Sequence, residues 1–482
     1  MKYDVVIGLE VHSELKTQTK AFCGCKNEFG SMPNTNCCPV CLGLPGALPV
    51  VNKKSVEYAI KAGLAFNCSI SNYTVFERKN YFYPDLSKAY QISQLEFPLC
   101  ENGYVELLLE ENNKKIRLNR IHMEEDAGKN LHDDFTNSSL VDFNRCGVPL
   151  IEIVTEPDLS SSDEAVEFLN QVKETLVYIE VSDGKMQEGS LRCDVNVSLK
   201  PKGSETLGNR TEMKNLNSFK AVKRAIEYEI KRQEKLLNDN KTIAQETRRW
   251  DDIEGKSYSL RTKEESQDYR YFPDKDLLPI TVEDSYVEEV KSNLPKLPNE
   301  RRKEYTTNLN LPDYDAKVLT QNKEVANYFE NCLQILNEPK RVSNFIMSHV
   351  LRLLKLENEK ENSKINVTEK QLCDIINMAK EGEISSSGAK VLFEKCWETQ
   401  KDPKVLCEDL GLKQVSDESE LENIIKNIIK ENPQAVTDYE GGNKRALTFF
   451  IGQVMKATKG KANPAVVNKI LKEQLNRKGV IL

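Results

Sequence analysis

Along the first 215 residues, short runs alternate apolar and polar side chains with a period of two, the pattern of strands that bury one face and present the other. In residues 190–198, Leu191, Cys193, Val195 and Val197 alternate with Arg192, Asp194, Asn196 and Ser198. Residues 6–12 repeat the device, with Ile7, Leu9 and Val11 on one side and Glu10 and His12 on the other. Residues 150–154 carry Glu152 and residues 121–126 carry His122, Glu124, Glu125 and Asp126 among strand-forming neighbours. Glu212 and Lys214 alternate on a further strand that leads into a helix over 218–237, with Ser218 as N-cap and Phe219, Val222, Ile226, Ile230 and Leu237 as its packing stripe.

Beyond Pro295 and Pro298 the alternation stops, and helical spacing takes over at 317–336, 342–356 and 369–379. A break near Asp402-Pro403 sets off a terminal module whose last helix opens at Asn463-Pro464. The expected class is therefore α+β: residues 1–294 built on an antiparallel sheet, an all-helical domain over 295–402, and a helical tail over 403–482. The string at Tyr81-Phe82-Tyr83-Pro84-Asp85 is echoed at Tyr269-Arg270-Tyr271-Phe272-Pro273-Asp274, by duplication or by coincidence.

Composition narrows the class. At 482 residues, 39% hydrophobic and 30% charged, the chain can bury more than one core. Without a membrane-length apolar run or a leader-like segment before the first strand, a cytoplasmic protein is expected. Thirteen cysteines, an odd number, argue for thiols or metal ligands rather than disulfides. Cys23 and Cys25 with Cys38-Pro39-Val40-Cys41 have zinc-knuckle character, so a tetrahedral, structural Zn²⁺ on Cys23, Cys25, Cys38 and Cys41 is expected, with Cys37 as the competitor for Cys38. Net charge is −7, yet from Gly441 on nine cations face one anion, giving +8 and leaving −15 for the rest. That asymmetry points to a nucleic-acid backbone as partner of the tail, through Lys444, Arg445, Lys456, Lys459 and Lys461.

Carboxylates and an imidazole converging from several strands suit Mg²⁺. Neither the Walker loop nor the dinucleotide glycine motif is present, so phosphates must be held through metal ions and cations, with Arg192, Lys79 and Lys214 the candidates. Such residues also suit a two-metal phosphohydrolase, and a non-catalytic, zinc-containing nucleic-acid scaffold is the third reading.

Taken in order, the strings GLEVH, RKNYFYPDLSKAYQISQ, HMEEDAGK, PLIEIVTEPD, EGSLRCDVNVS, EMKNLNSF, QETRRWD and GQVMKATKGKANP resemble the B subunit of the bacterial tRNA-dependent glutamyl/aspartyl amidotransferase. The resemblance implies a cradle domain similar to the glutamine synthetase and guanido kinase core, followed by helical and tRNA-binding parts. It implies that ATP and Mg²⁺ phosphorylate the side-chain carboxylate of Glu on glutamine tRNA, or of Asp on asparagine tRNA, before ammonia displaces the phosphate. Metal and nucleotide positions carried over are Glu10, His12, Glu125, Glu152, Asp194 and Glu212, with Glu124 as a substitute for Glu125 and with Lys79 and Arg192 as phosphate contacts. Four histidines and no amidase signature imply that ammonia comes from an amidase-like A subunit, with a small C subunit joining the two.

Overall fold

Nine strands build the main sheet: β1 (Tyr3–Glu14), β2 (Ser69–Ile70), β3 (Cys100–Leu107), β4 (Lys114–Glu125), β5 (Pro149–Thr155), β6 (Leu191–Pro201), β7 (Thr211–Lys214), β8 (Glu246–Asp251) and β9 (Lys256–Thr262). The computed structural model describes residues 2–108, 113–133, 138–262, 268–357, 364–414, 418–458 and 462–478. Spatial order is β9-β8-β7-β6-β1-β5-β4-β3-β2, and every neighbouring pair is antiparallel except β7 with β8. The long N-terminal strand thus lies in mid-sheet, between β5 and β6.

The period-two pattern is kept in space. Ile7, Leu9 and Val11 of β1 and Leu191, Cys193, Val195 and Val197 of β6 are all at most 3% exposed. They form one core with α2 (Lys53–Ala65), α3 (Ser162–Tyr178) and α4 (Phe219–Asn238); the four-residue α1 (Pro39–Leu42) lies earlier in the chain. Each such side chain contributes about 1.5–3 kcal/mol by leaving water. The helix expected from residue 218 is α4, and the Ser218 hydroxyl accepts from the Ala221 N–H at 3.1 Å. The ladder between β1 and β5 ends at Glu10 opposite Val154, and just beyond it the Thr155 hydroxyl accepts from the Leu9 N–H at 2.9 Å.

A small sheet joins Glu77–Asn80 to Tyr90–Ser93 on one side and Phe272–Pro273 on the other. It brings the two aromatic-Pro-Asp segments side by side, with the Tyr81 and Tyr269 rings 5.9 Å apart.

The chain divides into two compact units, up to Pro298 and from Asn299. In the second unit the helix expected over 317–336 is two, Asp313–Thr320 and Lys323–Ile335. Asn322 interrupts it, because its side chain accepts from the N–H groups of Glu324 and Val325 and starts a new helix. Asp402-Pro403 likewise opens a helix, Pro403–Asp409, capped by Asp402. That helix gives Leu406 and Cys407 to the core that begins at Tyr305, so this core runs past residue 402. A separate core gathers Leu421, Ile425, Phe450, Val454, Val467 and Leu471. Among the described residues no helix is long and apolar enough to cross a membrane.

Leu9, 1% exposed behind Glu10, is the simplest probe of the sheet. Leu9→Ala is expected to destabilise the first unit by about 2–5 kcal/mol. Urea unfolding followed by emission of the buried Trp250, in a Trp397→Phe background, measures it; a loss below about 1 kcal/mol would contradict this packing.

Candidate active site

Because antiparallel pairing puts directly opposed residues on one face, the register decides which polar side chains meet. Glu10 stands opposite Asp194, His12 opposite Glu152, Glu152 opposite His122, and Asn196 opposite Glu212. Five adjacent strands, β7-β6-β1-β5-β4, therefore carry one polar surface. Two groups on it have ligand atoms all within 4.8 Å of one another: His12, Glu124 and Glu152, and Glu10, Asp194 and Glu212. His12 Nε2 lies 3.5 Å from Glu124 and 3.4 Å from Glu152, and His122 Nε2 lies 3.3 Å from Glu152. Asn196 donates to Glu10 at 3.0 Å, and the Thr247 hydroxyl donates to Glu212 at 2.6 Å. Glu10, His12, Glu152, Asp194, Asn196, Glu212 and Thr247 line a cleft of about 460 Å³ together with Lys79, Arg210, Lys214 and Tyr269, while Glu124 and His122 are buried beside it against His12 and Glu152.

So many carboxylates in one place repel each other, and the charges shift accordingly. Burial pushes the Glu10 carboxyl above its usual range, and Glu152, Glu212 and Asp194 push it further. Burial also raises Glu124. His12 is raised to about 9: burial acts to lower it, but the hydrogen bond to Glu152 and the charges of Glu152 and Glu124 outweigh burial. Glu152, against its own burial, is held well below the usual carboxylate range by His122 and His12. Lys214 bridges Asp194 and Glu212, the latter at 2.7 Å, and is raised in spite of its burial. The acids thus favour the charged form of His12 in one group and hold the Lys214 ammonium between two carboxylates in the other. Lys79 Nζ lies over the Tyr269 ring at 4.9 Å. Lys79 is raised despite burial, with Glu124 the largest opposing influence.

One expected residue lies elsewhere. Glu125 does not reach the cleft: on β4 it points away from His122 and Glu124, pairs with Lys88, and accepts from the Ile92 N–H at 3.0 Å. Glu124 takes its place. Parity would have found it, since His122, Glu124 and Asp126 are spaced by two; but residues 121–125 are all buried, so no solvent face marks the right set. Arg192 stands directly opposite His12, outside the residues that line the cleft. Its guanidinium grips the Asp126 carboxylate at 2.6 and 3.3 Å, a fork-to-carboxylate pair that engages it beside the cleft rather than within it. Asn196 and Thr247, which line the cleft, and His122, buried against Glu152, are the site residues that sequence reasoning missed. Asn196 was legible as the next polar position after Asp194; Thr247, on a strand joined in parallel to β7, gave no local signal.

The four thiols expected to act together do so. The sulfurs of Cys23, Cys25, Cys38 and Cys41 lie within 4.8 Å of one another, whereas the Cys37 thiol donates to the Asn34 carbonyl at 3.4 Å, outside the group. Cys41 is depressed to about 4 by the Cys23 thiol, against its burial, with help from the Cys38 N–H at 3.0 Å and from Lys20. Lys20 is fully buried, its Nζ donating to the Asn36 carbonyl at 2.7 Å and lying 3.8 Å from the Cys41 sulfur. A thiolate with a buried counter-charge in a four-sulfur cluster fits tetrahedral zinc.

In the basic tail, Arg445 and Lys456 are exposed on the helix Lys444–Ala457. Lys459 and Lys461 lie outside the described residues, and the side chain of Lys444 is also outside them.

Comparison with known proteins covers nearly the full length. Residues 5–288 match the family described as "GatB/GatE catalytic domain", and residues 327–475 the family described as "GatB domain". The chain is similar to the B subunits of aspartyl/glutamyl-tRNA(Asn/Gln) amidotransferases. It is 55% identical over 477 residues to that of Thermoanaerobacter sp. (strain X514), covering 99% of this chain and 100% of the relative. To that of Caldicellulosiruptor bescii it is 55% identical over 480 residues, again 99% and 100%. To that of Geobacter sp. (strain M21) it is 50% identical over 477 residues, 98% and 100%.

The sulfur geometry predicts about one zinc per chain. Metal analysis of the purified protein is expected to find it in wild type and in Cys37→Ser, and to find it lost in Cys38→Ser; the reverse pattern would contradict the assignment.

Proposed function

The chain belongs to the family of aspartyl/glutamyl-tRNA(Asn/Gln) amidotransferase B subunits, and from that premise we propose that its cleft activates the side-chain carboxylate of misacylated tRNA. The reaction converts Glu-tRNA(Gln) to Gln-tRNA(Gln), or Asp-tRNA(Asn) to Asn-tRNA(Asn), at the expense of ATP. The observation that carries the reading is the pair of acidic groups, His12/Glu124/Glu152 and Glu10/Asp194/Glu212, gathered on one face of the sheet, with all but Glu124 lining one cleft.

The difficulty of the chemistry is that a carboxylate oxygen cannot leave. Transfer of the γ-phosphoryl group from ATP to that oxygen, with ADP as leaving group, makes an acyl phosphate; ammonia then adds to the acyl carbon and phosphate departs. Both reactants are anions, so the cleft must first let them approach. Glu10, Asp194 and Glu212, with Glu124, Glu152 and His12, would hold Mg²⁺. Bound there, Mg²⁺ offsets the repulsion between triphosphate and carboxylate and polarises the phosphoryl oxygens. Lys79 contributes a cation beside Tyr269, and Lys214, now paired with Asp194 and Glu212, would offer a second to phosphate oxygens. An adjoining pocket of about 320 Å³, bordered by Val6, Gly8 and Val154 and sharing Glu10 and Arg210 with the cleft, suits the nucleoside. The acyl phosphate must be kept from water until ammonia reaches it.

Ammonia is supplied by an amidase-like A subunit, with a small C subunit completing the complex, and the assembly works in the cytoplasm where its tRNA substrates are. Zinc on the four thiols is structural. The sheet with its acidic face is, in this reading, a cradle of the glutamine synthetase and guanido kinase kind. The basic tail holds the tRNA backbone.

Two outcomes follow. Glu124→Gln is expected to slow ATP-dependent amidation by about 10²–10³-fold with tRNA affinity unchanged, while Glu125→Gln, which can still bond to Lys88, loses less than about tenfold. Single-turnover amidation with filter binding distinguishes them, and equal losses would contradict the placement of Glu124 in the site. Arg445→Ala with Lys456→Ala should weaken tRNA binding and make its logarithmic salt dependence shallower by about 1–2 units. An unchanged slope would remove these residues from the tRNA contact.

A further inference from the structure

The ion pair between Lys88 and Glu125 lies outside the cleft and lines, with Cys23, Cys41 and Gly147, a small cavity beside the thiol cluster. The two side chains are 10% and 4% exposed. Glu125 is further fixed by the Ile92 N–H at 3.0 Å, and its main-chain carbonyl accepts from Gln91 Nε2 at 2.7 Å. On the other side, Lys88 lies across Gly43, the left-handed cap of α1 at φ +68°; a Cβ there would stand 2.3 Å from Lys88 Cγ. The hydroxyl of the preceding Ser87 donates to the Cys41 carbonyl at 3.0 Å, fastening the segment that carries Lys88 to a cluster residue. Gly147 measures how closely these parts converge. A Cβ at that position would lie 3.4 Å from Cys41 Cβ, 3.7 Å from Lys20 Cδ and 3.9 Å from Glu125 Oε2.

A buried ion pair is a poor source of stability, because desolvating both ions cancels most of their attraction. What it supplies is position. Glu124 and Glu125 are consecutive on β4 and project to opposite faces, so whatever fixes the backbone and side chain of one constrains the other. Glu124 is the member of the His12/Glu124/Glu152 group that β4 contributes.

We propose that Lys88 and Glu125 are positioning residues that carry the rigidity of the four-thiol cluster through β4 to Glu124, and so set the affinity of the cleft for a divalent cation. The thiol cluster then serves the chemistry indirectly, by way of Ser87, Lys88 and Glu125. This rests on the reading of the cleft as a cation site, so the test measures cation binding without turnover.

Mn²⁺ titration of the full chain, with free ion read by electron paramagnetic resonance, compares wild type with Lys88→Met, Lys88→Arg and Ser87→Ala, each checked for zinc content. Lys88→Met is expected to weaken Mn²⁺ binding by about 10-fold or more, as loss of an outer-shell partner does, with zinc retained. Lys88→Arg is expected to stay within about threefold of wild type, since it keeps the pair. Ser87→Ala, which removes one hydrogen bond and spares the fold, should weaken binding by about two- to fivefold and carries the test if Lys88→Met does not fold. Wild-type affinity in Lys88→Met, or in Ser87→Ala when it stands alone, would overturn the coupling while leaving the cation site intact. No Mn²⁺ binding by wild type would overturn both.

Discussion

Mutual repulsion among carboxylates on one face of one sheet is the constraint from which the rest follows. Glu10, Glu124, Glu152, Asp194 and Glu212 come from five adjacent strands, and the antiparallel register leaves them no way to turn apart. The core behind them enforces this: moving any strand by one residue would bury its acids and expose Ile7, Leu9 or Val195. The fold therefore holds negative charge in place by hydrophobic packing and meets the cost with positive charge. In the structure that charge comes from the ammonium of Lys214 bridging Asp194 and Glu212 and from the nearby Lys79, and the acids around His12 hold its imidazole toward the charged form. In the proposed reaction the same demand is met by Mg²⁺ and used to bring a triphosphate to a substrate carboxylate.

Much of this was legible in the sequence because it depends on parity. The alternation in residues 6–12 and 190–198 states which side chains share a face, and Glu10, His12, Asp194, Glu152 and Glu212 all stand where it puts them. Parity fails as a guide where both faces of a strand are covered. Residues 121–125 are buried throughout, and there the resemblance points to Glu125 where the structure uses Glu124. Arg192 shows a different limit: it has the right parity, but its partner Asp126 is 66 positions distant, and only the tertiary structure shows that its charge is already engaged. The helical half was readable in type but not in punctuation. Asn322 and Asp402 are capping side chains, and a cap opens a helix whether it stands inside an apparent run or at an apparent domain edge.

The four thiols give the first unit a second fixed point. Cys41 lies at the junction of Lys20, Gly147 and the segment carrying Ser87 and Lys88, so the cluster braces a strand whose opposite face carries Glu124. Apolar burial sets the register of the sheet; the cluster and the ion pair beside it set the finer placement of one acid. The two devices act at different scales, and the geometry of the cleft depends on both.

The most direct test is anomalous diffraction from crystals of the full chain soaked with Mn²⁺ and a non-hydrolysable ATP analogue. Manganese peaks are expected within His12, Glu124 and Glu152 and within Glu10, Asp194 and Glu212, with phosphate oxygens beside them and Lys214 displaced from Asp194. Manganese absent from both groups while the nucleotide is bound elsewhere would contradict the assignment of this cleft to phosphoryl transfer.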